Sequence, residues 1–163
     1  DKTYKINKVG AKAAGLLFGA YHFFHPSRDA RAQADLFLRL ADLQPGELHP
    51  VLDWESNDSG VSRAQAVSRA QIWLDTVERA CGKTPIIYGS PYFLKDLKLP
   101  ASFARYPLWI AHYGAKKPMV PAPWKVWSFW QHSESGDVPG IPAPDEDLDL
   151  FNGSLEQLKK LTL

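Results

Sequence analysis

The sequence predicts an α/β fold in which buried strands alternate with helices and pair as a parallel sheet. Apolar residues recur at helical spacing in three segments, residues 4–14, 28–43 and 62–81. Nearly continuous apolar runs at residues 16–24, 48–54 and 85–88 follow these segments, and such runs are typical of strands covered on both faces. Regular alternation of this kind favours a parallel sheet with helices packed on it.

The ends of these elements carry residues that stop regular structure. Gly15 and Gly82 follow the first and third helices, where a glycine can adopt the left-handed backbone that closes a helix. Pro26 ends the first strand, and the turn Gln44-Pro45-Gly46 separates the second helix from the second strand. The boundaries therefore agree with the alternation of the apolar patterns.

The alternation becomes less regular after residue 90. Two more strands are predicted at residues 108–113 and 126–132, joined by a proline-rich link, and a last strand at Asp147–Phe151. The turn Asn152-Gly153 then leads into a closing helix at residues 155–161, whose leucines at 155, 158 and 161 are expected to face inward. A chain of 163 residues with this content of apolar side chains is expected to fold as one domain, residues 1–163.

Composition excludes several classes of function. Nineteen basic and 18 acidic residues give a formal charge of +1, which argues against a nucleic-acid binder because such proteins carry clustered basic surface. The longest apolar run, residues 13–24, is too short and too interrupted to span a membrane. Cys81 is the single cysteine, so no internal disulfide or multi-cysteine metal site is possible. The first residues do not have the pattern of a secretion signal.

Two carboxylates stand at the end of the second predicted strand. Asp53 and Glu55 are two positions apart, so their side chains emerge on the same face. Parallel barrels place their active sites at the carboxyl ends of their strands. Two carboxylates held close together repel when both are ionised, which raises one pKa and keeps a proton available near neutral pH. The same tripeptide could also be only the polar end of a strand entering a loop.

Six short segments, taken in order along the chain, are more specific than the pair of carboxylates alone. They are Gly19-Ala20-Tyr21-His22-Phe23, Pro50-Val51-Leu52-Asp53-Trp54-Glu55, Pro85-Ile86-Ile87-Tyr88, Pro107-Leu108-Trp109-Ile110-Ala111, Trp130-Gln131 and Asp147-Leu148-Asp149-Leu150-Phe151. In this order they resemble the family 25 glycoside hydrolases, the muramidase family of bacterial, fungal and phage lysozymes. The resemblance runs from about Tyr4 to the C-terminus, and it implies a TIM-like (β/α) barrel.

The resemblance also implies roles for individual residues. It makes Glu55 the general acid, Asp53 the group that orients the acetamido group of the substrate, and Asp147 a third catalytic acid. Cleft-lining positions match Tyr21, Tyr88, Trp109 and Gln131, and Tyr113, in the same aromatic-rich part of the chain, is a further candidate for substrate binding. Asp149 stands where the family commonly has Asn, whereas Asp145 and Glu146 are expected to form a solvated acidic turn.

The resemblance further implies that the barrel is incomplete. Family members begin with two strands, the first ending in a catalytic-site Asp, whereas this chain starts at the helix that follows them and supplies about six of eight strands. An open barrel leaves unpaired strand edges. We therefore expect self-association, a partner that covers the edges, or a rearranged sheet. A fragment of a longer protein is an equal alternative.

The implied function is hydrolysis of the β-1,4 bond between N-acetylmuramic acid and N-acetylglucosamine in peptidoglycan. No metal or organic cofactor is expected, because side chains supply both acid catalysis and charge stabilisation. Peptidoglycan glycan strands are the expected partner, and the expected site of action is extracellular or at the cell wall, after secretion or phage release. Two alternatives stay open: a weakened or inactive peptidoglycan-binding module, and an unrelated barrel hydrolase acting on chitin.

Overall fold

A computed structural model describes residues 2–141 and 146–163 and shows helices and strands in alternation. Together they confirm the predicted α/β fold. The strands are β1 (Tyr21–Phe23), β2 (Val51–Asp53), β3 (Ile86–Gly89), β4 (Leu108–Ala111), β5 (Phe129–Gly136) and β6 (Glu146–Phe151). The helices are α1 (Tyr4–Ala13), α2 (Ala30–Ala41), α3 (Arg63–Cys81), α4 (Pro91–Leu97) and α5 (Leu155–Lys159), with a 3₁₀ helix at Ala101–Arg105.

The six strands form one sheet in sequence order, from β1 at one edge to β6 at the other. The pairs from β1 to β5 are parallel, and β6 runs antiparallel to β5. Helices connect the first four strands, as parallel pairing requires. In the described part of the chain no strand pairs with the outer edge of β1, so the sheet is an open, incomplete barrel, as the sequence predicts.

Local sequence explains where the longest helix begins and ends. The hydroxyl of Ser62 accepts a hydrogen bond from the backbone N–H of Gln65, whose side chain bonds back to the Ser62 N–H, so the two residues form a capping box. Gly82 follows the helix with φ of +70°, a conformation that costs a residue with a Cβ atom more than it costs glycine. These two caps reproduce the helix predicted from the sequence.

Side chains alternate between two apolar layers across the sheet. Leu52, Ile87, Leu108 and Ile110 face the helices and are at most 1% exposed, packed with Trp73 of α3 in the larger cluster. On the opposite face the smaller cluster joins barrel-interior residues to the end of the chain, namely Val51, Ile86 and Phe129 with Tyr88, Trp109, Phe151, Leu158 and Leu161. The interior face is therefore the one that can carry a cleft.

Several predicted strands are longer than the observed ones, and the first is also wrong in its burial. The apolar run of residues 16–24 forms a strand only at Tyr21–Phe23. It lies at the sheet edge, where Leu16, Tyr21 and Phe23 are 64%, 68% and 42% exposed. Apolar content alone does not distinguish an edge strand with an uncovered interior face from a central strand.

The last strand and helix also differ from the sequence prediction. Glu146, expected in an acidic turn, begins β6, whereas Asp145 lies outside the described residues. Leu155, expected to face inward, is 61% exposed, while Leu158 and Leu161 do pack against the barrel interior. The closing helix has only five residues, and Leu155 at its start is exposed to solvent. No helix in residues 2–141 and 146–163 has the length and hydropathy to cross a membrane.

Candidate active site

One register row crosses the whole sheet and forms the floor of the candidate site. Phe23 pairs with Asp53, Asp53 with Tyr88, Tyr88 with Trp109, Trp109 with Phe129 and Phe129 with Phe151. We call this set the central row. Neighbouring positions in paired strands point to the same face, so Asp53 is the one carboxylate in a row with five aromatic residues. The row crosses the sheet obliquely, since Asp53 is the last residue of β2 whereas Phe129 is the first residue of β5.

Asp53 and Glu55 form a close pair with unequal surroundings. Asp53 is 7% exposed, whereas Glu55, in the loop directly after β2, is exposed to solvent. Burial, and then the charge of Glu55 and a hydrogen bond with it, raise the pKa of Asp53 to about 7. In the described part of the structure, Asp53 Oδ1 has no hydrogen-bond partner. The pair can therefore hold one proton near neutral pH and leaves a buried acceptor available.

Gln131 connects two tyrosines above this pair. The hydroxyls of Tyr88 and Tyr113 both donate to Gln131 Oε1, at 2.7 and 2.6 Å. Burial is the main reason that the pKa of each tyrosine is raised, so both stay protonated. Because one amide oxygen accepts both hydrogens, the tyrosine oxygens retain lone pairs that can accept hydrogen bonds from a ligand.

Of the two aspartates of β6, Asp149 makes the contact with the central row. Trp109 donates its indole N–H to Asp149 Oδ1 at 2.6 Å, and Asp149 pairs in register with Gln131. Burial raises the pKa of Asp149, the bond from Trp109 opposes this rise, and the charge of Asp147 adds to it. Asp147 and Asp149 are both exposed on β6, so the desolvation that raises the pKa of Asp149 is only partial. The charge of Asp147 also contributes to the raised pKa of Tyr113.

A cavity of about 480 Å³ opens beside Glu55, which is the size of a typical small-ligand pocket. Tyr88, Ala111 and Tyr113 line it together with residues that the sequence analysis did not single out, namely Ser90, Pro91, Tyr92, His112 and Glu134. The cavity extends the site from the end of β2 past the start of α4 to β5.

The structure separates two residues of the first strand from this arrangement. Tyr21 is on the interior face but pairs with Val51, two positions before Asp53, and is 68% exposed. His22 points toward the helices, where its ring stacks on Trp73 at 5.7 Å and its Nε2 lies 3.1 Å from Gln33 Oε1. Burial lowers the pKa of His22, so it is a neutral core histidine rather than part of the cleft.

Weak sequence signals mark the residues that the sequence analysis missed. Tyr92 is an exposed aromatic three residues after β3, and Glu134 lies three residues beyond Gln131 on a strand that continues past its predicted end. Tyr92 follows the carboxyl end of β3, and Glu134 lies in the part of β5 that extends past the predicted end. Cleft residues are common near the carboxyl ends of parallel strands. Within residues 2–141 and 146–163, no three His, Cys, Asp or Glu side chains are grouped to hold a metal ion.

Comparison with known proteins agrees with the geometry. The family model of the glycosyl hydrolases family 25 matches residues 1–141. Protein YegX of Escherichia coli K12 is 42% identical over 159 residues, which cover 98% of this chain and 57% of YegX. Lysozyme M1 of Streptomyces globisporus is 32% identical over 172 residues, covering 99% of this chain and 58% of that lysozyme. The chain thus spans 57–58% of the length of these two relatives.

Solved structures show the same fold. A bacterial lysozyme from Streptomyces coelicolor superposes with a TM-score of 0.92 at 31% identity, covering 99% of this chain and 79% of that chain. A muramidase from Acremonium alcalophilum gives a TM-score of 0.86 at 26% identity, covering 98% and 79%. Sequence motifs, fold and family match agree, and the chain belongs to family 25 of the glycosyl hydrolases.

Proposed function

We propose that this chain is a muramidase domain that hydrolyses the β-1,4 bond between N-acetylmuramic acid and N-acetylglucosamine in peptidoglycan. The observation that carries the proposal is the Asp53–Glu55 pair, in which the pKa of the buried Asp53 is raised to about 7 beside an exposed second carboxylate. Similarity to lysozymes and a muramidase supports the same reaction. Residues 1–163 are proposed to act as one catalytic domain on cell walls outside the cytoplasm.

The proposed mechanism starts from the shared proton of the pair. The acetamido N–H of the reacting sugar approaches Asp53 Oδ1, the buried oxygen without a partner in the described structure. Asp53 becomes a carboxylate and accepts this bond, while its proton passes along the hydrogen bond to Glu55. This transfer places the proton on the exposed carboxyl group that borders the cavity. Glu55 is then the general acid.

Cleavage then uses the substrate's own acetamido oxygen as the nucleophile. That oxygen attacks the anomeric carbon, the glycosidic C–O bond breaks, and the leaving oxygen takes the proton from Glu55. Water next adds to the anomeric carbon of the cyclic intermediate, its proton returns to Glu55, and the acetamido group is restored. Because the carbon is attacked twice, the product keeps its anomeric configuration, and an inverted product would contradict this route.

The other side chains of the site are proposed to hold the substrate. Tyr88 and Tyr113 offer oxygen acceptors that Gln131 fixes in place, and Trp109 offers an aromatic surface fixed by Asp149. Asp147 is proposed as a third acid near Tyr113. Tyr21 would contact a more distant part of the glycan, since it lies at the β1 edge.

The test is digestion of purified bacterial cell walls by this chain and by Glu55→Gln, with reducing ends counted as turbidity clears. We expect the substitution to lower the rate about 100-fold or more, because it removes the general acid. Glu156→Gln is the matched control, since this exposed glutamate lies on α5. The carbonyl of Leu161, just after α5, accepts a hydrogen bond from the His49 N–H ahead of β2, so α5 is at the opposite end of the sheet from Glu55. If neither protein releases reducing ends but both sediment with walls, the chain is a peptidoglycan-binding module instead.

The pH dependence gives a second test of the same pair. The upper limb of the kcat/KM profile should fall above about pH 7, where the pair loses the proton that Asp53 holds. Asp53→Asn should remove that limb along with most activity. A rate that stays constant from pH 6 to pH 9 would contradict the shared-proton mechanism.

A further inference from the structure

The cavity beside Glu55 has a second wall, and of its residues the proposed function uses only Tyr113. Tyr92, near the start of α4, is 64% exposed and lines the cavity together with His112, Tyr113 and Glu134. The ring of Tyr92 meets that of His112 edge to face, with centroids 6.0 Å apart and planes at 87°. An exposed aromatic ring held at the rim of a cavity next to a glycosidase acid is a surface on which a sugar can stack.

His112 contributes a fixed hydrogen-bond donor to this wall. The backbone N–H of Met119 donates to His112 Nδ1 at 3.0 Å, so Nδ1 is the acceptor and Nε2 is the ring nitrogen that donates. The backbone is also held, since Trp130 donates its indole N–H to the His112 carbonyl at 2.9 Å. The cavity wall therefore combines an aromatic surface and an N–H donor on a fixed backbone.

Glu134 gives the same wall a negative charge. It is exposed on β5, and across residues 2–141 and 146–163 it has neither an ion-pair partner nor a hydrogen bond. Its charge reaches Tyr113, whose pKa it helps to raise. The described lining residues include Glu55 and Glu134 but no lysine or arginine. A ligand group with a carboxylate is repelled here, whereas a hydroxyl, amide or ammonium group can donate to Glu134.

We propose that Tyr92, His112, Tyr113 and Glu134 form a subsite for a second hexosamine, next to the sugar that is cleaved, and that Glu134 selects a glucosamine-type sugar over muramic acid. The inference rests on the proposed function, which supplies the glycan. Muramic acid carries a lactyl carboxylate that glucosamine lacks, so a carboxylate in the wall distinguishes the two sugars by charge. Tyr92 supplies the stacking surface, and His112 and Glu134 bind polar groups at the ring edge.

Binding of two uncleaved homo-oligomers tests the subsite. The probes are the trisaccharide of N-acetylglucosamine and the trisaccharide of glucosamine, titrated by calorimetry into the Glu55→Gln protein. Because every sugar in each probe is identical, a shift in binding register does not change the group that faces Glu134. Tyr92→Ala should weaken both probes about fivefold, and Tyr92→Phe should restore binding. Equal affinity in Tyr92→Ala and the parent would overturn the subsite.

The charge of Glu134 is tested by the ratio of the two affinities. Glu134→Gln should reduce the preference for the cationic trisaccharide about threefold to fivefold at low salt, with the neutral trisaccharide little changed. Glu156→Gln, which removes the same charge elsewhere, should leave the ratio unchanged. A ratio that Glu134→Gln does not alter would overturn the charge selection.

These measurements separate this inference from the proposed reaction, because they need no turnover. If the unsubstituted chain digests walls but Tyr92→Ala and Glu134→Gln change nothing, only the subsite is wrong. If the expected changes occur in a chain that does not digest walls, the proposed reaction fails and the sugar subsite stands.

Discussion

Replacement of Asp53 by Asn should remove a large pH dependence from the free energy of unfolding. The pKa of Asp53 is raised from 3.8 to about 7 in the folded protein, chiefly by burial. Between these two values the folded protein holds a proton that the unfolded chain releases. The free energy of unfolding therefore decreases as pH rises through this window.

The size of the effect follows from the pKa. The change from 3.8 to about 7 corresponds to roughly 4 kcal/mol, at about 1.4 kcal/mol for each pH unit. Glu55 is exposed, so solvent screens its part of the interaction, and we expect about 2 to 3 kcal/mol to be measurable. This amount is a large fraction of the stability of a domain of this size.

Urea unfolding at several pH values from 4 to 8 measures the effect. The free energy of unfolding of the unsubstituted chain, relative to that of Asp53→Asn, should fall by about 2 to 3 kcal/mol between pH 4 and pH 8. The unsubstituted chain is thus favoured at low pH. Asp58→Asn is the control, because hydrogen bonds from Ser27 lower the pKa of Asp58 from 3.8. Its contribution is lost only as pH falls below that value, so its difference from the unsubstituted chain should stay nearly constant from pH 4 to 8. A difference between the chain and Asp53→Asn that is constant across this range would refute the idea that Asp53 holds a proton.

Four further substitutions test packing and assembly. Glu47→Ala should lower the free energy of unfolding by about 3 kcal/mol in urea titrations, because this carboxylate is 1% exposed and pairs with Lys8 and Lys12; an unchanged midpoint would argue against a structural role. Gly89→Ala should destabilise by about 2 kcal/mol or more, since a Cβ atom there would lie 2.6 Å from the Trp54 carbonyl oxygen. Gly10→Ala, in open space within α1, should instead stabilise the protein by about 0.5 to 1 kcal/mol. Thermal melts should therefore show a lower Tm for Gly89→Ala and a higher Tm for Gly10→Ala, and the reverse for either variant would contradict its prediction. Sedimentation should show self-association through the β1 edge that Phe23→Lys weakens, because Phe23 is 42% exposed there; a strict monomer would count against it.

Helix positions could be predicted well because their signals are local. The capping residues of α3, Ser62 and Gly82, stand at the ends of an apolar pattern that the sequence shows directly. The pairing of Asp53 with Glu55 is also local, since it needs only the two-residue repeat of a strand. The spacing does not predict that Asp53 is buried while Glu55 is exposed.

Contacts that join several strands could not be predicted in the same way. The link from Tyr88 and Tyr113 to Gln131 depends on the relative register of β3, β4 and β5. The uninterrupted pairing of Phe129–Gln131 with Asp149–Phe151 brings Asp149 to Trp109. Register shifts on either side of Ser133 alter the pairing of β5 with β6 beyond Asp149. Sequence spacing does not give the number or position of such irregularities.

The central row couples the chemistry of the cleft to the integrity of the sheet edge. Asp53 is second in that row, and only Phe23 of β1 lies between it and the uncovered edge. If β1 separates from β2, water reaches Asp53 and its pKa returns toward 3.8. The protonation state of one carboxyl group thus reports whether the first strand is in place, and whatever covers that edge also sets the pH range in which the proton is available.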